Sequence, residues 1–390
     1  MPHRRDIDKV CPDYPVVLVR ICGHIAVLNT RALDYFKKRG AFNNIPKELL
    51  DLDAKGEPTG IVKEVALENC WSAMPKTRIS EYKVALERAQ GIALSYGVLG
   101  THCILDDWQS QLKAIKELAK ENKLILKLVL FLPIGALSFI EAMAKKKRNE
   151  FLRGKNFQIV GFKVFTDGSL GARTAALNND YADDQGNKGM LYYSTQDLIS
   201  FSSRVRRLGL VIATHAIGDK ALEQTAEAYK SAGVSKKDRY RIEHCSIVNA
   251  RVLRRLHRFV ISIQPMFASS DFWALDRIGT SKEKRRAYPF KTLFKKSLCI
   301  GGSDAPVESL DPLTGIKSAM ENKIDEKESL NEMQAVKLYT KNPAQLYGVT
   351  RKLGSIRAGK SASLVVLEGA SLSRSKVSAL FVDGKQVFSH

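Results

Sequence analysis

An α/β barrel of the TIM (β/α)8 type, one strand short of closure, with a remnant of a small β-sandwich domain at its C-terminal end, is the fold class this sequence predicts. Three observations predict it. Between residues 98 and 304 seven apolar, β-rich runs alternate with helix-type segments, a pattern that argues for parallel strands joined by right-handed crossovers. Three of these runs end in groups of metal-ligand type, at Thr214-His215-Ala216, Ile242-Glu243-His244-Cys245 and Gly302-Ser303-Asp304, and the C-terminal strand ends are where such barrels carry their sites. Beyond residue 350 the pattern changes to short β-type runs around Asp383-Gly384, a dipeptide that favours a tight hairpin. The expected division is a barrel over residues 1–350, with an insertion near 15–75, and strands of the small β domain over 351–390.

Taken in order, a polar lead of ten residues enters the run 16–21, which is ended by Gly23-His24. Residues 53–60 are dense in turn formers and read as a hairpin or loop. The segment 80–96 is a helix with Tyr82, Leu86, Ala89 and Ala93 on one face, closed by Gly97. Strands follow through Cys103 and over 125–132, with helices over 109–120 and 137–147. Residues 157–165 form a buried strand that breaks at Asp167-Gly168-Ser169. After a polar excursion over 178–194, a helix over 195–208 leads to the strand 210–215, and a helix marked by Leu222, Ala226 and Tyr229 stops at Gly233 before the strand through Glu243-His244. A helix over 249–258 feeds the strand 259–264, and the last strand runs over 298–304. Ser329-x-x-Glu332 has the spacing of a capping box for a helix running toward Pro343. The tail strands are expected at 363–367 and 379–381.

The 390 residues carry 44% apolar side chains, enough for a substantial core. Lys and Arg outnumber Asp and Glu by 62 to 41, a formal charge of +21 that favours anionic partners. The basic residues are nevertheless scattered, with small clusters at Lys145-Lys146-Lys147-Arg148 and Lys284-Arg285-Arg286, and no aromatic-interleaved RNA motif accompanies them. No specific nucleic-acid partner is therefore expected, and salt-sensitive association with RNA or acidic membranes is a weaker alternative. Six cysteines without a CxxC pair fit reduced thiols, the start lacks an apolar signal core, and the apolar run 125–132 carries Lys127 and is too short to span a bilayer. A cytoplasmic protein with no membrane partner is expected.

Lys163 sits inside the 157–165 strand. A buried ammonium must be paired, neutral or modified. An ion-paired strand lysine and a lysine carboxylated by carbon dioxide, able to bridge two metal ions, are the two readings. A lone strand histidine is usually a hydrogen-bonded core or surface residue; the recurrence of ligand-type groups at matching strand ends is what departs from that expectation. Cys245 neighbours His244 and, by strand alternation, packs on the opposite face.

The segments VVLVRICGHIAVLNTRAL (16–33), 56–60, 162–177, ATHAIGDKA (213–221), 241–245, 262–265, 302–307 and 342–348, in that order, resemble the amidohydrolase superfamily, specifically amidohydrolase family 3, the branch with N-substituted formamide deformylases. The resemblance implies a metal-dependent hydrolase of amide or formamide-type C–N bonds acting on a small molecule through a metal-activated water. It implies His215 and His244 as ligands from the fifth and sixth strands and Lys163 as a carboxylated ligand from the fourth. Asp304 on the last strand would be ligand and general base, and Asp167, Arg173, Gln264 and His24 would line the substrate pocket. The implied cofactor is one or two divalent ions; zinc is expected from the donors, and iron or manganese would suit similar ones. A homo-oligomer is compatible with the family.

The family's first barrel strand ends in His-x-His, and none of His3, His24, His102, His215, His244, His257 and His390 stands two positions from another. By resemblance Met1 corresponds to a point well inside the usual chain, so a first strand and half of the small sheet are expected to be missing and the 390 residues alone to be weakly active or inactive. The usual Ala-Asp of the tail is here Ala362-Ser363. The alternative function is a non-catalytic remnant serving as a binding or interaction protein.

Overall fold

The computed structural model describes residues 2–20, 23–278 and 285–390; Ile21 and Cys22, at the end of the first β-type run, and Lys284 of the second basic cluster lie outside them. Backbone contacts divide the chain into two compact units, residues 1–76 with 168–174, and residues 77–167 with 175–390.

The first unit holds an antiparallel sheet of β1 (Val17–Val19), β2 (Ile25–Leu28), β3 (Leu50–Leu52) and β4 (Pro58–Lys63), in the order β1-β2-β4-β3. All four residues of β2 are apolar and buried, which places it centrally. The turn-rich stretch before β4 does form a hairpin: Asp53 Oδ1 accepts the backbone N–H of Lys55 and of Glu57, closing the loop between β3 and β4. The run that enters at Val16 thus belongs to this sheet and not to the parallel one. Asn29, fully buried, accepts the N–H of Ala32 and so starts the helix Thr30–Lys37.

The second unit is built on a curled sheet of seven parallel strands in sequence order: β5 (Gly100–Ile104), β6 (Lys127–Pro133), β7 (Phe157–Phe165), β8 (Val211–Ala216), β9 (Arg241–His244), β10 (Val260–Ile263) and β11 (Leu298–Gly301). It is an open barrel. Among the described residues neither β5 nor β11 has a strand on its outer side. The period-two alternation of β6 shows how the sheet divides its faces. Leu128, Leu130 and Leu132 join the large core formed with the helices, whereas Phe131 faces inward beside Val160, Ala213 and Tyr347. Helices Ile79–Ser95, Trp108–Lys120, Thr195–Arg207 and Asp219–Ser231 supply the outer layer; Leu222 and Ala226, four apart, are both fully buried.

Three expected helices differ from the sequence reading. The segment expected over 137–147 is two helices, Leu137–Glu141 and Lys145–Phe151, with Ala144 extended between them and Met143 packed on the core. The segment expected over 249–258 keeps only Ala250–Leu253 and a 3-10 turn, and Asn249 belongs to the strand Ile247–Asn249, which pairs with Arg285–Ala287. Ser329 does not cap the next helix: its hydroxyl accepts the N–H of Asn322, and Asn331 with Gln334 forms the capping box of Glu332–Tyr339.

The tail forms an antiparallel sheet of β12 (Leu364–Glu368), β13 (Lys376–Val382) and β14 (Lys385–Ser389). Asp383 and Gly384 take φ of +50° and +85° between β13 and β14, as the two-residue turn requires. Among the described residues no helix is long and apolar enough to cross a membrane.

Candidate metal centre

Parallel register fixes the heights of the candidate ligands. His215 on β8 lies opposite Phe165 of β7 on one side and Glu243 of β9 on the other, while Lys163 lies opposite Ala213, one inward-facing position lower. The same hydrogen-bonded ladders therefore bring together residues some eighty positions apart in sequence. The His215 and His244 rings meet edge to face, with centroids 4.4 Å apart. Phe165 lies against His215 at 5.3 Å, and Phe267 stacks on His244 at 5.8 Å and 14°. Both imidazoles are buried.

His244 reaches this position through an uncommon backbone, φ +72°, and Asp304 beyond β11 has φ +57°. Non-glycine residues pay to sit there, and such outliers gather where function holds them. Lys163 is buried beneath the imidazoles, its ammonium 4.7 Å from the centre of the Phe165 ring. Burial pushes its amine below the ordinary lysine range, against the pull of the Glu243, Asp304 and Asp106 carboxylates. Burial likewise raises Asp106, with Lys163 opposing.

The other predicted residues are placed as follows. Asp304 is exposed in the turn after β11. Among the described residues no three His, Cys, Asp or Glu side chains converge as a metal-holding group. Gln264, just past β10, is buried; its Nε2 reaches the Ser262 carbonyl only at 3.5 Å and its Oε1 has no hydrogen-bond partner. Asp167 is fully buried, and its carboxylate accepts the N–H groups of Ala176, Ile217 and Gly218. In the first unit, His24 Nδ1 lies 2.8 Å from Glu64 Oε2, and Glu64 Oε1 accepts the Thr174 hydroxyl. Arg173 sits there at φ +58°. Gly168 is sterically required, since a Cβ there would fall 2.1 Å from Thr174 Oγ1 and 2.6 Å from Thr174 Cβ. Cys245 packs, fully buried, in the core beneath the helices.

A polar network beside the imidazoles was not read from the sequence. Arg241 grips both oxygens of Glu243, at 2.8 and 3.0 Å, and reaches His102 Nδ1 at 3.0 Å and the Tyr347 hydroxyl at 3.1 Å. A guanidinium only donates, so His102 Nδ1 is bare and the ring neutral. Burial, with Arg241 adding to it, pushes His102 down to about 3. Burial pushes Glu243 up, but Arg241 and then Lys163 more than offset it and hold the carboxyl down at about 2. The Arg-x-Glu spacing at 241 and 243 was the available signal, since residues two apart in a strand share a face.

Adjacent imidazoles and a buried lysine thus stand at the C-terminal ends of parallel strands, where barrels of this type carry their sites. The chain belongs to the amidohydrolase family, whose model, described as "Amidohydrolase family", matches residues 1–388. It is 32% identical to the amidohydrolase YtcJ of Bacillus subtilis (strain 168), over 94% of this chain and 71% of that one. It is 22% identical to the N-substituted formamide deformylase of Arthrobacter pascens, again over 94% and 71%. Among solved structures it resembles an uncharacterised metal-dependent hydrolase from Pyrococcus horikoshii OT3, with a TM-score of 0.72, 29% identity and coverage of 93% of this chain and 72% of that one.

Proposed function

We propose that this chain is a metal-dependent hydrolase of amide or formamide-type C–N bonds in small molecules, with His215, His244 and Lys163 holding a divalent ion and Asp304 serving it from the rim. The observation that carries the proposal is the pair of neighbouring imidazoles above a buried lysine, in a chain whose family and solved neighbours are hydrolases. The donor chemistry fits the ion. Two imidazoles suit zinc, and an amine pushed toward neutrality by burial can donate its lone pair. In its neutral form the amine can attack carbon dioxide, forming an N–C bond and releasing one proton to give a carbamate. A divalent ion bound there supplies Lewis acidity, polarising a carbonyl and lowering the pKa of water.

The remaining work falls to this chain's own side chains. Phe165 and Phe267 flank the imidazoles and exclude water from those sides. The partnerless Oε1 of Gln264 is an acceptor for a substrate N–H; a buried amide left unsatisfied is costly unless a ligand completes it. The Asp304 carboxylate, exposed at the strand end, accepts a proton from water. With no His-x-His in the sequence, the donor set is small, and slow turnover is expected. The competing reading, a non-catalytic binding protein, draws on the lack of a third converging His, Cys, Asp or Glu among the described residues.

Metal content by elemental mass spectrometry separates the two. After incubation with zinc and gel filtration, at least one equivalent is expected on the wild-type chain and is lost in His215→Ala. No metal on either would leave the binding-protein reading.

A further inference from the structure

We propose that Asp167 is a positioning residue for His215. It accepts the imidazole's Nε2–H and so turns the bare Nδ1 toward the metal; the last clause rests on the reading above, whereas the assignment of the proton does not. The geometry is local. Asp167 Oδ1 lies 3.5 Å from His215 Nε2 and accepts the Ile217 N–H at 3.0 Å. Its Oδ2 accepts the N–H groups of Gly218 at 2.8 Å and Ala176 at 2.9 Å. Three backbone donors pin the carboxylate, and it is 0% exposed, so it cannot turn away from the ring.

The residue before it holds the other end of the histidine. Thr166 donates both its N–H, at 3.0 Å, and its hydroxyl, at 2.5 Å, to the His215 carbonyl. Two successive residues beyond β7 thus clamp the backbone and the ring of one residue on β8. A carboxylate can only accept, so the ring nitrogen facing it carries a proton, and in the neutral ring the other presents a lone pair. Carboxylate partners of metal-binding histidines act in this way, and losing one weakens metal affinity by about 10–100-fold. The expectation that Asp167 would contact substrate gives way to a different role, because its oxygens are committed to protein donors.

Asp167→Asn makes the inference sharp. Two backbone N–H groups converge on the Oδ2 position and one on the Oδ1 position, so the amide places its oxygen at the former and its NH2 at the latter. That NH2 faces His215 Nε2, which must now accept, and the proton moves to Nδ1. The experiment is a long-range proton–nitrogen correlation spectrum of the metal-free, full chain labelled with 15N-histidine, with the His215 signals assigned from His215→Ala. The expected result is an Nε2–H ring in the wild type and a shift toward the Nδ1–H ring in Asp167→Asn, with zinc affinity lower by about 10–100-fold. An Nδ1–H ring in the wild type would overturn the inference, and so would an unchanged tautomer in a folded Asp167→Asn. The wild-type spectrum alone decides if that variant does not fold. A wild-type chain with the expected tautomer and no zinc binding would sink the hydrolase reading while supporting the role of Asp167.

Discussion

Two polar pairs stand near one another on the same curled sheet, and they differ in what holds them. Arg241 and Glu243 close on each other through two short hydrogen bonds, and His102 and Tyr347 take the guanidinium's remaining reach. Beside them the His215 and His244 rings meet edge to face, near an amine whose charge is disfavoured by burial. The Arg241–Glu243 pair satisfies itself and has nothing left to offer a ligand. The imidazole pair stands at the strand ends, where a ligand can arrive. Buried polar groups of one sheet thus separate into scaffold and candidate site by their position along the strands.

The difference predicts opposite responses to mutation. Removing one member of the Arg241–Glu243 pair leaves a buried charge without its partner, at a cost of about 3–5 kcal/mol. Glu243→Gln should therefore shift the urea midpoint far down. The double variant Arg241→Met/Glu243→Leu should recover most of the loss, since no charge is then stranded. A single variant as stable as the double would show that the pair is not the strut its geometry suggests.

A smaller effect comes from the histidine at the edge of that network. His102 holds no proton down to about pH 3 in the folded chain, whereas in the unfolded chain it takes one near pH 6.5. As pH falls from 6.5 toward 3, the unfolded state binds the extra proton and stability declines, by at most about 1.4 kcal/mol per pH unit from this group. Above pH 6.5 both states are neutral and the contribution is flat. In His102→Gln, whose amide oxygen can still accept from Arg241, this part of the acid slope should vanish. Urea midpoints at pH 7, 5 and 4 measure it, and parallel declines in the two proteins would place the acid sensitivity elsewhere.

The imidazole pair was legible in the sequence and the Arg241–Glu243 pair was not, for a physical reason. His215 and His244 stand at the ends of strongly β-type runs, and their position announces their chemistry. Arg241 and Glu243 share a face by spacing, but their partners lie 139 and 106 positions away, at His102 and Tyr347; only the closing of the sheet brings them together. Asp167 shows the limit in another form. An acid after a strand reads equally as ligand, pocket residue or loop anchor, and only the folding of two further segments delivers the N–H groups of Ala176, Ile217 and Gly218. The strands over Lys127–Pro133 and Phe157–Phe165 were legible because their runs are long and largely apolar. The broken helix after residue 141 was not, since a core contact at Met143 overrides local preference.

The smallest expected effect on stability is also the most direct contrast between the pairs. Lys163→Met replaces a buried amine with an apolar side chain of similar length. The ammonium it removes is already disfavoured by burial, and Glu243 keeps its two bonds to Arg241 without it. Replacing buried ionic groups by apolar ones of similar volume is often neutral or stabilising, and residues retained for function commonly lower stability. The urea midpoint of Lys163→Met should therefore equal or exceed that of the wild type by up to about 1 kcal/mol, while zinc retention falls. A loss comparable to that of Glu243→Gln would instead make Lys163 a third member of the Arg241–Glu243 network, held as an ammonium by Glu243 and Asp304. The same result would withdraw it from the donors of the metal.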